Sequence, residues 1–198
     1  MADILKIEDR RLEYVLEYST RLILAGKVVA IPTDTFYGLA ADPFNLAAVS
    51  ELFRIKRRTV DRPLPLLVGS VDQAIDLTND PPRLFFKLVE KFWPGPLTVV
   101  VRASRQIPLK VTANTGKVGL RWPKAMVAEA LIAAVDRPIT GTSANLSERP
   151  ACSTAAEVDE QIGDRVPLIL DGGPTQGELA STVVELEGDR ARILRPGG

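Results

Sequence analysis

A lysine leads an unbroken apolar run, Lys27-Val-Val-Ala-Ile31, set between Gly26 and Pro32. Such a run between two breakers reads as a buried strand. The stretch before it, about Arg11 to Ala25, places Leu12, Val15, Leu16, Ser19, Leu22 and Ile23 on one helical stripe, with Gly26 positioned to stop the helix. A helix feeding directly into a buried strand restricts the fold to layered arrangements in which helices cover a sheet. The pattern then repeats. Asn45 is a good cap for a helix carrying Leu46, Val49, Leu52 and Phe53 inward. Leu64 to Val68 reads as a strand. Asp80-Pro81 reads as a cap and first helical residue, opening a helix with Leu84, Phe85, Leu88, Val89 and Phe92 on its apolar face, broken by Trp93-Pro-Gly-Pro96. Leu97 to Arg102, Val118 to Trp122 and Ile139 to Thr142 read as strands, with a helix from Ala125 to Val135. The last third offers a helix near Thr154 to Ile162 and strands at Leu168–Leu170, Thr182–Leu186 and Ala191–Leu194. Helices and strands alternate early and strands accumulate late, which predicts an α/β (α+β mixed) fold: one mixed sheet with helices packed on it.

Composition matters mainly through what it removes. The 198 residues hold 25 Lys+Arg, 25 Asp+Glu and no histidine. Without histidine there is no Ser-His-Asp or Cys-His relay, no imidazole base and no His-bearing zinc site. The single cysteine, Cys152, excludes an internal disulfide and a CxxC pair and reads as a small buried or semi-exposed residue. Hydroxyls, carboxylates, amides and permanent cations must carry any chemistry. The length suits one domain over residues 1–198. No apolar run approaches membrane-spanning length and the first residues lack a basic signal segment, so a cytoplasmic protein with no membrane association is expected. Walker A and GxGxxG patterns are absent.

Three segments could carry chemistry. In Ile31-Pro-Thr-Asp-Thr-Phe-Tyr-Gly38, alternation puts Thr33, Thr35 and Tyr37 on one face, either as a small-molecule pocket wall or as a strand end chosen for β-propensity. The run Arg54-Ile-Lys56-Arg57-Arg58-Thr-Val-Asp-Arg62 concentrates five cations against one acid in a neutral chain. Residues two apart in a helix point about 200° apart, so Lys56 and Arg58 converge only if the chain has left the helix there, as Arg62-Pro63 suggests. Such a cluster suits a polyphosphate, or else simply complements a helix carboxyl end. Thr140-Gly-Thr-Ser-Ala-Asn-Leu-Ser147 follows an apolar strand, so that Ser143 and Asn145 can face one ligand with Gly141 allowing close backbone approach, or form a capping turn. Arg121, between Leu120 and Trp122, is either a surface arginine of a sheet, the commoner case, or a buried carboxylate clamp. Trp93 and Trp122 read as packing residues.

Together and in order, the segments resemble the YrdC-like threonylcarbamoyl-AMP synthase family. The stretches that carry the likeness are Pro32-Thr-Asp-Thr-Phe-Tyr-Gly-Leu39, Ile55-Lys-Arg-Arg58 with Arg62-Pro-Leu64, Phe92-Trp-Pro-Gly-Pro-Leu-Thr98, Val118-Gly-Leu-Arg-Trp-Pro123, Thr142-Ser-Ala-Asn-Leu-Ser147, Gly172-Gly173, Ser181-Thr-Val183 and Ile193-Leu-Arg-Pro-Gly197. The resemblance implies a single YrdC-like domain with a twisted mixed parallel/antiparallel sheet, flanking helices and a concave ligand cleft. It implies that L-threonine, bicarbonate or CO2, and ATP give L-threonylcarbamoyl-AMP and pyrophosphate. A threonylcarbamoyl transferase complex would then modify tRNA. Lys56, Arg58, Ser143 and Asn145 are implied to hold the ATP phosphates as the catalytic set. Arg62, Lys117 and Arg195 match further nucleotide contacts, with Gly141 close to the ligand and Ala151 where relatives carry a serine near the nucleotide. Thr35, Arg121 and Ser181 match threonine contacts, to which Thr33 and Tyr37 are joined by the shared face. Mg²⁺ is expected with ATP, held largely by phosphates, and no protein ligand for it is identifiable.

Leu67 stands where many relatives have a histidine near the threonine site, Ala151 replaces the serine, and Glu148 replaces a glycine after Ser147. Two other readings follow from the residues: a weak RNA-binding module built on the Arg54–Arg62 patch, which zero net charge disfavours, and a paralogue that adenylates another carbamate.

Overall fold

The computed structural model describes residues 2–8 and 12–198, so the helix start expected at Arg11 lies outside the described residues. Its elements in chain order are β1 (Asp3–Lys6), α1 (Leu12–Leu24), β2 (Val29–Ile31), β3 (Gly38–Ala40), α2 (Leu46–Lys56), β4 (Leu66–Leu67), α3 (Val71–Asp76), α4 (Arg83–Phe92), β5 (Leu97–Arg102), α5 (Leu109–Thr112), β6 (Lys117–Arg121), α6 (Met126–Val135), β7 (Ile139–Thr140), β8 (Thr142–Ser143), α7 (Ala155–Ile162), β9 (Leu168–Asp171), β10 (Thr182–Glu187) and β11 (Arg190–Arg195). The fold is mixed α/β as expected, but the strands form two sheets instead of one. The first has the order β1-β9-β2-β3-β8 and the second β11-β10-β5-β6-β4-β7. Both mix orientations: β2 runs parallel to β9 and antiparallel to β3, and β5 runs parallel to β10 and antiparallel to β6.

The apolar run after Gly26 explains the first sheet. Val29 and Ile31, with Leu168 and Leu170 of β9, pack on Val15 and Ile23 of α1 and Leu131 and Ile132 of α6. The alternate residues Ala30 and Ile169 join the other core cluster, with Leu52 of α2 and Val158 and Ile162 of α7. Both faces of these strands are thus covered, which is why no polar alternation shows in the sequence. The second sheet is covered on one face only. Leu97, Val99, Val101, Val118, Leu120, Val184 and Leu186 belong to the core cluster that contains Phe85 and Val89 of α4. Their neighbours of opposite parity face away from it.

Gly141 joins the sheets. The strand expected over Ile139–Thr142 divides there: β7 pairs with β4 in the second sheet and β8 with β3 in the first. A Cβ at Gly141 would lie 2.6 Å from Leu67 Cγ and Cδ2, so the crossing passes directly over the Leu67 side chain.

Other departures are local. The strand expected over Leu64–Val68 shortens to two residues, although Leu64, Leu66 and Val68 are all fully buried. Asp80 is not a cap. It takes a left-handed conformation (φ 54°), and Pro82 precedes the first turn of α4 without a side-chain cap. Phe92 is not core but 45% exposed, because the helix ends there and only Phe85 and Val89 of its stripe are fully covered. Asn45 does cap α2, accepting from the Ala47 and Ala48 amides, and Thr154 forms a capping box with Glu157 at α7. No helix among the described residues is long and apolar enough to cross a membrane.

Candidate active site

The uncovered face of the second sheet forms the floor of a cleft of about 630 Å³. Thr98 and Val100 of β5, Lys117, Gly119 and Arg121 of β6, and Ser181, Val183 and Glu185 at β10 line it at alternate positions. The first sheet supplies a wall through Gly38, Thr142 and Ser143, continued by the Thr33–Tyr37 turn and the carboxyl end of α2. Seven cations line the cleft (Lys56, Arg58, Arg62, Lys117, Arg121, Arg149 and Arg195) against two carboxylates, Glu148 and Glu185.

Lys56 and Arg58 converge by the exit foreseen in the sequence. Lys56 is the last residue of α2, and Arg57 follows in the left-handed region (φ 49°), its amide and that of Arg58 closing on carbonyls of the last turn. The chain turns and Arg58 enters the same cleft, donating to the Pro63 carbonyl (3.1 Å) and Thr142 Oγ1 (3.4 Å). Lys56 is 3% exposed. Its ammonium donates to the Ser143 carbonyl, the Asn145 carbonyl (2.9 Å) and Asn145 Oδ1 (3.0 Å). Ser143 Oγ donates to the same Oδ1 at 2.5 Å, and Asn145 Nδ2 donates to the carbonyls of Leu146 and Arg149. The lysine therefore ties the Ser143–Asn145 loop to the end of α2.

Burial, reinforced by Arg58, pushes the Lys56 ammonium down to about 7. Burial and Arg62 lower Arg58, and burial and Arg121 lower Arg195. Each of these cations is disfavoured by loss of water and by a neighbouring cation, a strain that a polyanionic ligand would relieve.

The second polar group gathers around Arg121. This arginine is buried, the less common of the two expectations. Its Nε donates to the Gly95 carbonyl (3.1 Å), Nη1 to Thr35 Oγ1 (3.0 Å) and Nη2 to Asp34 Oδ1 (2.6 Å). Thr33 Oγ1 lies 3.1 Å from Thr35 Oγ1, accepts from the Thr35 amide and donates to the Phe36 carbonyl, closing the turn. Ser181 Oγ lies 2.9 Å from Thr98 Oγ1, and Arg195 donates to the Ser181 carbonyl (2.8 Å) and hydroxyl (3.1 Å).

Every expected site residue lines this one cleft: Thr33, Thr35, Tyr37, Lys56, Arg58, Arg62, Lys117, Arg121, Gly141, Ser143, Asn145, Ala151, Ser181 and Arg195. Two of them are committed elsewhere. The Tyr37 hydroxyl donates to the Gly173 carbonyl (2.8 Å) and accepts from the Gly172 amide, and burial pushes it up to about 12, so it holds the turn after β9. Lys117 is bridged to Glu185 and Glu187, both at 2.8 Å, and Glu185 is also bridged to Arg192. Thr98, Glu185 and Arg149 were missed, although alternation along β5 and β10 carried the signal for the first two. Asp34, behind Arg121, was missed too. Leu67 lines the cleft against Gly141 and brings no polar group. Cys152 is buried, its thiol pushed up to about 11 chiefly by burial. Trp93 is packed, with Nε1 donating to the Leu97 carbonyl, and Trp122 packs against the core. The basic run is split, since Arg54 turns outward to Glu51.

The fold and the cleft define a two-sheet α/β protein whose open sheet face carries a cleft lined mainly by cations. The model of the Sua5/YciO/YrdC domain, described as "Telomere recombination", matches residues 21–197, and the chain belongs to that family. It is 36% identical over 198 residues to the threonylcarbamoyl-AMP synthase of Pyrococcus abyssi and 38% identical over 178 residues to that of Bacillus subtilis. All of this chain and 89% of it are covered, against 58% and 51% of those relatives, so the chain spans little more than half their length. The crystal structure of P. abyssi Sua5 complexed with L-threonine superposes with a TM-score of 0.96 at 36% identity, covering 100% of this chain and 58% of that one.

Proposed function

We propose that this chain is an L-threonylcarbamoyladenylate synthase, joining L-threonine, bicarbonate or CO2, and ATP to give L-threonylcarbamoyl-AMP and pyrophosphate. The observation that carries this reading is the crowding of Lys56, Arg58 and Arg195 in one cleft, each held below its ordinary range by burial and a neighbouring cation, beside a guanidinium framed by hydroxyls. A polyphosphate and an amino-acid carboxylate satisfy both parts. The family relationship, and the binding of L-threonine by a relative of the same fold, support the assignment.

The chemistry needs no histidine. The threonine amine adds to CO2 and loses a proton, giving a carbamate. A carbamate oxygen then attacks the α-phosphorus, a new P–O bond forms, and the bond to pyrophosphate breaks with the electron pair leaving on pyrophosphate. Such transfers depend on alignment and on neutralising charge as it develops. In this reading Arg121 receives the threonine carboxylate, with the Thr35 and Ser181 hydroxyls orienting the amino acid. Arg58, Arg62 and Arg195 neutralise the phosphates, and Lys56 holds the Ser143–Asn145 loop in place beside them. The described residues contain no cluster of three or more His, Cys, Asp or Glu groups suited to a metal ion. Mg²⁺ accompanying ATP would be held largely by phosphate oxygens and water, screening their charge. A transferase acting on tRNA would consume the product.

Isothermal titration tests the reading directly. L-threonine and ATP should each give saturable heat with the protein, with threonine heat lost in Arg121→Ala and ATP heat weakened in Arg58→Ala. Absence of any threonine binding to the unaltered protein would contradict it.

A further inference from the structure

We infer that Asp34 is a positioning residue for the amino-acid substrate, setting the plane of the Arg121 guanidinium that receives the substrate carboxylate; this rests on reading the cleft as a threonine site. Asp34 does not line the cleft. It lies behind Arg121, with side-chain exposures of 13% for the aspartate and 8% for the arginine. A guanidinium has five N–H donors. Three of them meet the Gly95 carbonyl, Thr35 Oγ1 and Asp34 Oδ1, on Nε, Nη1 and Nη2 respectively. One N–H is left on each terminal nitrogen, available to the oxygens of a substrate carboxylate.

Two of the three fixed contacts are neutral oxygens. Asp34 is the one carboxylate within ion-pair distance of Arg121 among the described residues, so it alone compensates the buried cation. It does so from one oxygen, Oδ2 being buried without a partner. Its place is fixed by the turn, since Thr33 Oγ1, on one side of it, ties the Thr35 amide and the Phe36 carbonyl on the other. Three contacts from two loops leave the long arginine side chain little freedom, so the substrate meets a fork already in place.

Steady-state pyrophosphate release by the full chain, with L-threonine and ATP varied in turn, tests this in Asp34→Ala and Asp34→Asn. The KM for L-threonine should rise about tenfold or more in the alanine variant and about threefold in the asparagine variant, which keeps an acceptor but not its charge. The KM for ATP should stay within about twofold, and kcat at saturating threonine should change far less than the threonine KM. An unchanged threonine KM in Asp34→Asn, or equal losses for both substrates, would overturn the assignment. Asp34→Asn preserves shape and decides the matter if the alanine variant does not fold. Guanidinium NMR signals of Arg121 give a readout needing no substrate: separate, slowly exchanging Nη signals in the unaltered protein, merging in Asp34→Asn. If the unaltered enzyme shows no threonine-dependent turnover, the reading of the cleft fails, while these signals still report whether Asp34 fixes Arg121.

Discussion

Lys56 makes the stability of the protein depend on pH in a definable direction. Its ammonium titrates near 7 when folded, against an ordinary 10.5. Below pH 7 both states carry the proton and the folded form bears the full cost of burying it. Between 7 and 10.5 the unfolded chain holds more protons than the folded one, so stability rises with pH, by at most about 1.4 kcal/mol per unit. Urea midpoints at several pH values between 6.5 and 8.5 should climb in the unaltered protein and stay flat in Lys56→Met; parallel curves would rule the effect out. Glycine positions separate two kinds of crowding. A Cβ at Gly177 would lie 2.3–2.7 Å from the Thr35 backbone, whereas at Gly141 it would meet the Leu67 side chain at Cγ and Cδ2. Gly177→Ala should therefore cost about 1–3 kcal/mol and weaken threonine binding by displacing Thr35. Gly141→Ala should cost less, if Leu67 can rotate; melting temperatures and threonine titrations compare the two. Much of the site was legible at this scale, because Lys56, Arg58, Ser143 and Asn145 sit in short motifs of unusual composition. Asp34 was not, because its function is defined by an arginine 87 positions away.

At the scale of elements, the exit from α2 is the hinge of the site. Arg57 holds a left-handed conformation that costs a side chain roughly 1 kcal/mol and costs glycine little. Arg57→Gly should leave stability unchanged or raise it by up to about 1 kcal/mol, with activity retained. A marked loss of stability would mean that the Arg57 side chain holds something in place. At the other end, Asn45→Ala removes the acceptor for two amides and should lower stability by about 0.5–2 kcal/mol in chemical denaturation. The longer elements were readable because their apolar spacing repeats several times: β5 was expected over its observed range and α6 differs by one residue. β4 was expected over a longer range, Leu64–Val68, because its apolar run continues past the paired residues, whereas the two-residue β8 carries no period to set it apart from β7. Phe92 shows the limit of a helical stripe, which continues in the sequence after the neighbouring layer has ended.

For the whole molecule, the decisive feature is the opening between two sheets joined at Gly141. One sheet is covered on both faces by helices, and the other keeps one face free for polar residues at alternate positions. The sequence pattern predicted helices over a sheet but not the division, because nothing local distinguishes a strand that crosses between sheets from one that continues. The formal charge is zero, yet seven cations and two carboxylates line the cleft, so the balancing acids lie elsewhere. Pyrophosphate release from ATP in the presence of L-threonine, bicarbonate and Mg²⁺ tests the central claim most directly. Release should require ATP, L-threonine and bicarbonate together, yield threonylcarbamoyl-AMP in equal amount, and fall at least about a hundredfold in Lys56→Ala/Arg58→Ala. Release that is indifferent to threonine, or unaffected by that double substitution, would contradict it.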